Sequence, residues 1–116
     1  MVKLYGVKTC DTCRKARRWL DAAGVDYQYI DLRDDGVDGS RLQQWIDSHG
    51  TARMVNKRSR TWRDLDADAR ERCETDILAC LRQHPTLIKR PILDTGAATQ
   101  VGFASADYEA AFEGSK

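Results

Sequence analysis

Long apolar runs are missing from this sequence, and no stretch is long enough to span a bilayer. The N-terminal MVKLYGVKTCDTC has no basic segment leading into an apolar core and a small-residue cleavage site, so no secretory signal is expected. An excess of one charge is missing too. Nineteen Lys and Arg stand against eighteen Asp and Glu, a formal net charge of +1, although 32% of residues are charged. That balance offers no general electrostatic case for binding a membrane surface or nucleic acid directly. Repeats and low-complexity segments are absent. Histidine is scarce: His49 and His84 stand alone. The expected compartment is the cytoplasm, where thiols stay mostly reduced. Four cysteines in that setting point to chemistry, metal or buried packing rather than a disulfide scaffold.

What is present suits one compact domain: 116 residues, 41% of them apolar. VKLY, residues 2–5, alternates and runs into Gly6, predicting a short strand and a turn. Over 13–23, Ala16, Trp19, Leu20 and Ala23 share one helical face, and Gly24 is a C-cap candidate. VDYQYIDL, 25–32, is rich in β-formers. Strand, helix and strand make a βαβ unit with parallel strands. After a polar loop over 33–40, Asp38, Gly39 or Ser40 caps a helix that buries Leu42, Trp45 and Ile46 and ends at Gly50. Residues 51–60 read as irregular and basic. The stretch 61–85 predicts a short turn and then a longer helix with Ile77, Leu78 and Leu81 on its apolar face, stopped by Pro85. Strands over 90–94 and 98–103 form a hairpin. A closing helix over 105–114 is capped by Ser105, with Tyr108, Ala111 and Phe112 facing inward. The order predicts an α/β fold, a four-stranded mixed sheet with helices packed on it.

Cys10 falls at the first strand-to-helix turn and Cys13 one helical turn later. Three readings compete: a metal clip, a redox or nucleophilic centre, and two incidental small hydrophobes. Unpaired amides at a helix start point at the preceding residue, and with the macrodipole they favour a thiolate there. Lys8 and Arg14 add positive charge; Asp11 opposes it. Residues three apart in a first turn sit roughly 5–6 Å apart, within disulfide reach. Cys10 can then attack and Cys13 resolve. A zinc site needs two more ligands, and the other cysteines, Cys73 and Cys80, are spaced by seven. On one continuous helix that spacing is about 10.5 Å of rise, too far for a shared metal or a disulfide. Both are therefore expected to be buried small hydrophobes. Ala16 and Trp19 stand six residues after Cys10 and Cys13, so a phosphate-cradling C-x5-R loop is excluded. The redox reading leads, since the pair follows a strand and opens a helix. The metal and incidental readings stay open behind it. The basic run 14–18 reads as a solvated helix face. The basic loop 56–60 borders an anion site, such as one for a glutathione carboxylate, or is plain surface. Trp19, Trp45 and Trp62 are expected in packing roles.

LYGVKTCDTCRKARRWLDAAGVDY, SRTWRDL and HPTLIKRPI…VGF, in this order along nearly the whole chain, resemble the arsenate reductase (ArsC) family in its Spx and YffB branch. The resemblance implies a thioredoxin-like, glutaredoxin-like four-stranded mixed sheet with an inserted helical block. It implies a single domain over 1–116, with a core at about 1–34 and 86–116 and the insertion at about 37–85. Cys10 aligns with the family's nucleophile, and Cys13 with the second position of the C-x-x-C switch of Spx proteins. Arg90-Pro91 matches an Arg-Pro pair, implying a cis proline beside the active thiol and an arginine that holds an anionic substrate. Lys8, Thr12 and Arg58 join these two as candidate substrate- and anion-binding residues. Arsenate reductases of this type surround the oxyanion with three arginines. Arg90 fits one position, and the others fall at Asn56 and Phe103. The implied activity is a cytosolic thiol–disulfide oxidoreductase with no bound cofactor, using glutathione as co-substrate and glutathione or glutaredoxin as partner. An Spx-like redox-switched regulator of RNA polymerase and a true arsenate reductase are the alternatives.

Overall fold

The computed structural model describes residues 2–113. Strand β1 (Val2–Gly6) leads through a turn into α1 (Asp11–Ala22), and β2 (Tyr27–Asp31) returns parallel to β1, with Val2 opposite Tyr27 and Gly6 opposite Asp31. The three-and-four spacing of apolar residues puts Cys13, Ala16 and Leu20 of α1 inside. Ala23, expected on that face, is instead the exposed C-cap, with its amide donating to the Trp19 carbonyl. Strand β3 (Ile92–Asp94) pairs antiparallel with β1, Leu93 opposite Leu4, and β4 (Thr99–Val101) pairs antiparallel with β3. The sheet order is β2–β1–β3–β4. This is the thioredoxin-like α/β arrangement. Helix α7 (Ser105–Glu113) follows.

One face of the sheet carries the core of this half. Leu4 and Leu93 meet Ala16 and Leu20 of α1 and Tyr108 of α7, all fully buried. Trp19 closes the cluster, edge-on to Tyr108 at 5.5 Å and stacked on Phe112 at 5.9 Å. The tryptophan packs rather than offering a stacking platform. The α7 boundary differs from expectation. The Tyr108 amide donates to the Ala104 carbonyl, so Ser105 lies inside the helix and Ala104 holds the cap position. The expected extension to Gly114 lies outside the described residues.

The chain divides into two compact units, one made of the residues up to Asp31 and from Arg90 on, the other of Leu32–Lys89. In the second unit α2 (Gly39–His49) starts at Asp38, whose side chain accepts from the Arg41 amide, and it buries Leu42, Trp45 and Ile46. After α3 (Thr51–Met54), Val55 forms an antiparallel bridge with Ile88, and Asn56 N–H donates to the Leu87 carbonyl at 2.7 Å. Part of the stretch expected to be irregular is therefore held by backbone pairing. Its partner lies 33 positions on, beyond the reach of any local pattern.

The short turn expected first is α4 (Arg60–Asp64), and the longer helix expected after it is two pieces, α5 (Ala67–Thr75) and α6 (Ile77–Gln83), followed by a 3-10 turn at Pro85–Leu87. The break is at Asp76. Its backbone leaves the helical region (φ −141°, ψ 80°), and its side chain accepts from the Ala79 amide, capping α6. This corner overturns the expectation for Cys73 and Cys80. They form a disulfide, with Cα atoms 5.0 Å apart. The 10.5 Å argument holds only for an unbroken helix. The signal was present in the sequence: an aspartate directly before the apolar run ILACL. Among the described residues, no helix is long and apolar enough to cross a membrane.

Candidate active site

Between β1 and α1 the chain makes a tight turn in which Cys10 N–H donates to the Val7 carbonyl at 3.0 Å. Two further bonds hold the loop. The Lys8 amide donates to the carboxylate of buried Asp31, at the end of β2, and the Arg14 side chain donates to the Lys8 carbonyl at 3.3 Å. Cys10 is then the N-cap residue of α1, in extended backbone geometry and half-exposed, while Cys13 is 1% exposed. Gly6 makes room for Cys13. A Cβ at position 6 would stand 2.9 Å from Cys13 Sγ, closer than packed atoms tolerate, and a tight 3.3 Å from Cε2 of Tyr29. Sequence reasoning read Gly6 only as a turn signal.

Across the same unit, the Arg90-Pro91 bond is cis and leads into β3. Pro91 is fully buried, and its carbonyl accepts from the amide of Gly102 at 2.8 Å. Gly102 adopts φ 85°, where a side chain would be strained. These contacts fix the segment that carries Arg90.

The two thiols are pushed in opposite directions. Burial raises the Cys10 pKa, but the Cys13 amide, the Cys13 side chain and the charge and hydrogen bonding of Arg90 outweigh it, so Cys10 ends below its ordinary value. The neutral thiol forms no cap hydrogen bond; the pull of the Cys13 amide is on the thiolate. Burial pushes Cys13 up to about 12, with the Cys10 charge adding to the rise and the Val7 backbone opposing it. The result is an ionisable outer sulfur beside a protonated inner one.

Of the candidate residues, the structure brings together Cys10, Cys13 and Arg90, with Pro91 next to Arg90 in the chain. Arg90 is a cation acting on Cys10, whereas Arg14, credited with that role from sequence, is engaged with the Lys8 carbonyl and, at 3.1 Å, with Asp11. Lys8 is exposed and takes part through its backbone. Thr12 is exposed in the first turn of α1. Arg58 is exposed in the second unit, its amide donating to the Asn56 side chain. Three residues were missed: Asp31, which anchors the loop, and Tyr29 and Tyr108. Burial, with the Cys13 charge next, raises the Tyr29 pKa to about 12 and moves Tyr108 up as well. Both hydroxyls are buried without a hydrogen-bond partner. Arg17 lies over the Tyr29 ring, 4.2 Å from its centroid. The available sequence signal was weak: an acid and an aromatic in a strand paired with the one that feeds the thiols.

Comparison with known proteins shows the family. Residues 5–111 match the ArsC family model. The chain belongs to the ArsC family. A solved structure of a YFFB protein is 38% identical, with TM-score 0.90, over 96% of this chain and 98% of that one. An arsenate reductase (ArsC) related protein from Brucella melitensis is 34% identical, with TM-score 0.73, covering 96% of this chain and 93% of its own. The global transcriptional regulator Spx of Streptococcus pyogenes is 30% identical over 89% of this chain and 78% of that protein. ArsC-like relatives of this chain thus carry both an enzyme-related name and a regulator's name.

Proposed function

We propose that this ArsC-family protein is a glutathione-linked thiol–disulfide oxidoreductase that acts through a Cys10 thiolate. The observation that carries the reading is the opposite displacement of the two thiols beside Arg90. Cys10 thiolate attacks one sulfur of a disulfide substrate. That S–S bond breaks, a mixed disulfide forms on Cys10, and the other sulfur leaves as a thiolate that takes up a proton. Arg90 holds an anionic group of the substrate next to the reacting sulfur. Cys13 then gives up its proton and attacks the Cys10 sulfur, releasing the bound thiol and leaving a Cys10–Cys13 disulfide. Two glutathione molecules reduce that bond and leave as glutathione disulfide. In the mixed disulfide Cys10 carries no charge, so one influence raising Cys13 is gone. Burial remains, which keeps Cys13 a slow resolver and lets glutathione compete for the Cys10 sulfur.

Arsenate reduction is the weaker variant. At the two other arginine positions of the family pattern stand Asn56, whose side chain holds the Arg58 amide, and Phe103, whose ring packs edge-on against Tyr108 at 4.8 Å. Neither supplies the guanidinium donors an oxyanion needs. The similarity to Spx supports a second reading, a redox-switched regulator. Retention of RNA polymerase in a pull-down, with no turnover of glutathione-linked disulfides, selects it.

The test is pH-dependent alkylation of Cys10 alongside turnover of a glutathione mixed disulfide. We expect alkylation to titrate below the free-thiol value of about 8.5, to move upward in Arg90→Gln, and turnover to vanish in Cys10→Ser. A Cys10 that titrates at or above the free-thiol value, with turnover intact in Cys10→Ser, would falsify the proposal.

A further inference from the structure

We propose that the Cys73–Cys80 disulfide and the cavity beside it form a second thiol–disulfide exchange site, one that takes small anionic thiols. The site uses none of the residues assigned above and stands or falls independently of the function proposed for Cys10. Both half-cystines line a cavity of about 280 Å³, together with Arg72, Thr75, Asp76 and His84. That volume lies just below the usual range of ligand pockets, about 300–1,000 Å³, which limits the occupant to a small molecule. The residues themselves are only 4% and 6% exposed, so the cavity is their route to solvent. A disulfide buried in apolar packing has no such approach.

The lining also has a chemical preference. Arg72 contributes a permanent positive charge, and His84, the C-cap residue of α6, an imidazole. The one carboxylate in the lining, Asp76, keeps its charge while accepting from the Ala79 amide at 3.2 Å, and opposes Arg72. The preference for a thiol that carries a carboxylate rests on the Arg72 guanidinium, which can pair with that carboxylate directly.

The exchange balances in two steps. An incoming thiolate attacks one sulfur of the pair. The Cys73–Cys80 bond breaks, a mixed disulfide forms, and the other cysteine leaves as a thiolate and takes up a proton. A second thiolate attacks the bound small-molecule sulfur and departs with it as a symmetrical disulfide, leaving both cysteines as thiols. Two electrons pass from two small thiols to the protein disulfide, and the reverse sequence re-forms it. The bond ties α5 to α6 across the Asp76 corner at a Cα separation of 5.0 Å; opening it removes that tie.

The experiment uses the full chain as Cys10→Ser/Cys13→Ser, so that the remaining pair is the only redox couple. Native protein is exposed to reduced glutathione or to 2-mercaptoethanol, which has no carboxylate, quenched by alkylation and mapped by mass spectrometry, with circular dichroism reporting the fold. We expect opening much faster than global unfolding, and a glutathione adduct trapped on Cys73 or Cys80. In Arg72→Gln the glutathione rate should fall several-fold and the 2-mercaptoethanol rate clearly less, and Arg72→Lys should restore part of the loss. Opening no faster than unfolding overturns the proposal. Equal effects of Arg72→Gln on both thiols, or none on glutathione, overturn the anionic preference and with it the site as stated.

Discussion

Gly6 is the residue on which the thiol geometry turns most directly. Its φ is not positive, so alanine is conformationally permitted there; the obstacle is space. The missing Cβ would meet Cys13 Sγ at 2.9 Å, Cys13 Cβ at 3.2 Å and the Tyr29 ring at 3.3 Å. None of these is the free end of a flexible side chain. Overpacking of this kind costs about 1–3 kcal/mol. Gly6→Ala should lower the urea midpoint correspondingly, and Cys13→Ala in the same chain should recover part of the loss by removing the sulfur. Equal stability of Gly6→Ala and the parent would show that Cys13 is not packed against Gly6.

The Asp76 corner is the element-scale counterpart. Two short helices meet there, each capped at its start by an aspartate side chain: Asp66 from the Ala69 amide at 2.7 Å and Asp76 from the Ala79 amide. The disulfide closes the loop between them over a separation of seven. In the chain-entropy description, a loop of about eight residues contributes roughly 2.5 kcal/mol by restricting the unfolded chain. Cys73→Ala/Cys80→Ala should therefore unfold at a lower denaturant concentration, and the parent treated with a strong reductant should follow it. A double variant as stable as the oxidised parent would mean that the bond constrains nothing in the unfolded state.

For the molecule as a whole, the buried acids of the thiol site set its response to alkali. Burial pushes Cys13 and Tyr29 up to about 12, and Tyr108 moves the same way. Each binds its proton more tightly folded than unfolded, so above the unfolded values near 8.5 for a thiol and 10 for a phenol the unfolded chain holds fewer protons. Stability from these groups is complete below those values and declines as pH climbs toward 12. Cys10, shifted down, acts in the opposite sense: its contribution is present above the ordinary thiol value and lost as pH falls through its own lowered one. It is partly exposed, so solvent screening keeps that contribution small. Urea midpoints measured from pH 8 upward should fall, and the fall should start later in Cys13→Ala. A flat profile in the parent would contradict burial of that thiol.

Much of this was written locally. Alternation in VKLY, the apolar face of α1, the β-formers of 25–32 and the hairpin near Gly96 are short-range patterns. Short-range backbone preferences and the pairing of one apolar face are enough to order strands and helices into a mixed sheet. The thiol motif at the head of α1 was legible for the same reason, since a helix start confers its electrostatics on whatever residue precedes it. Tertiary structure decided the rest. The Val55–Ile88 bridge, the Asp31 anchor under the cysteine loop, the tyrosines beside Cys13 and the approach of Arg90 to Cys10 join residues far apart in sequence. No periodicity encodes such pairs; they exist only once chain entropy has been overcome by burial. The disulfide lies between these cases. Its two cysteines are neighbours in sequence, but one break in a helix converts an unreachable pair into a bonded one.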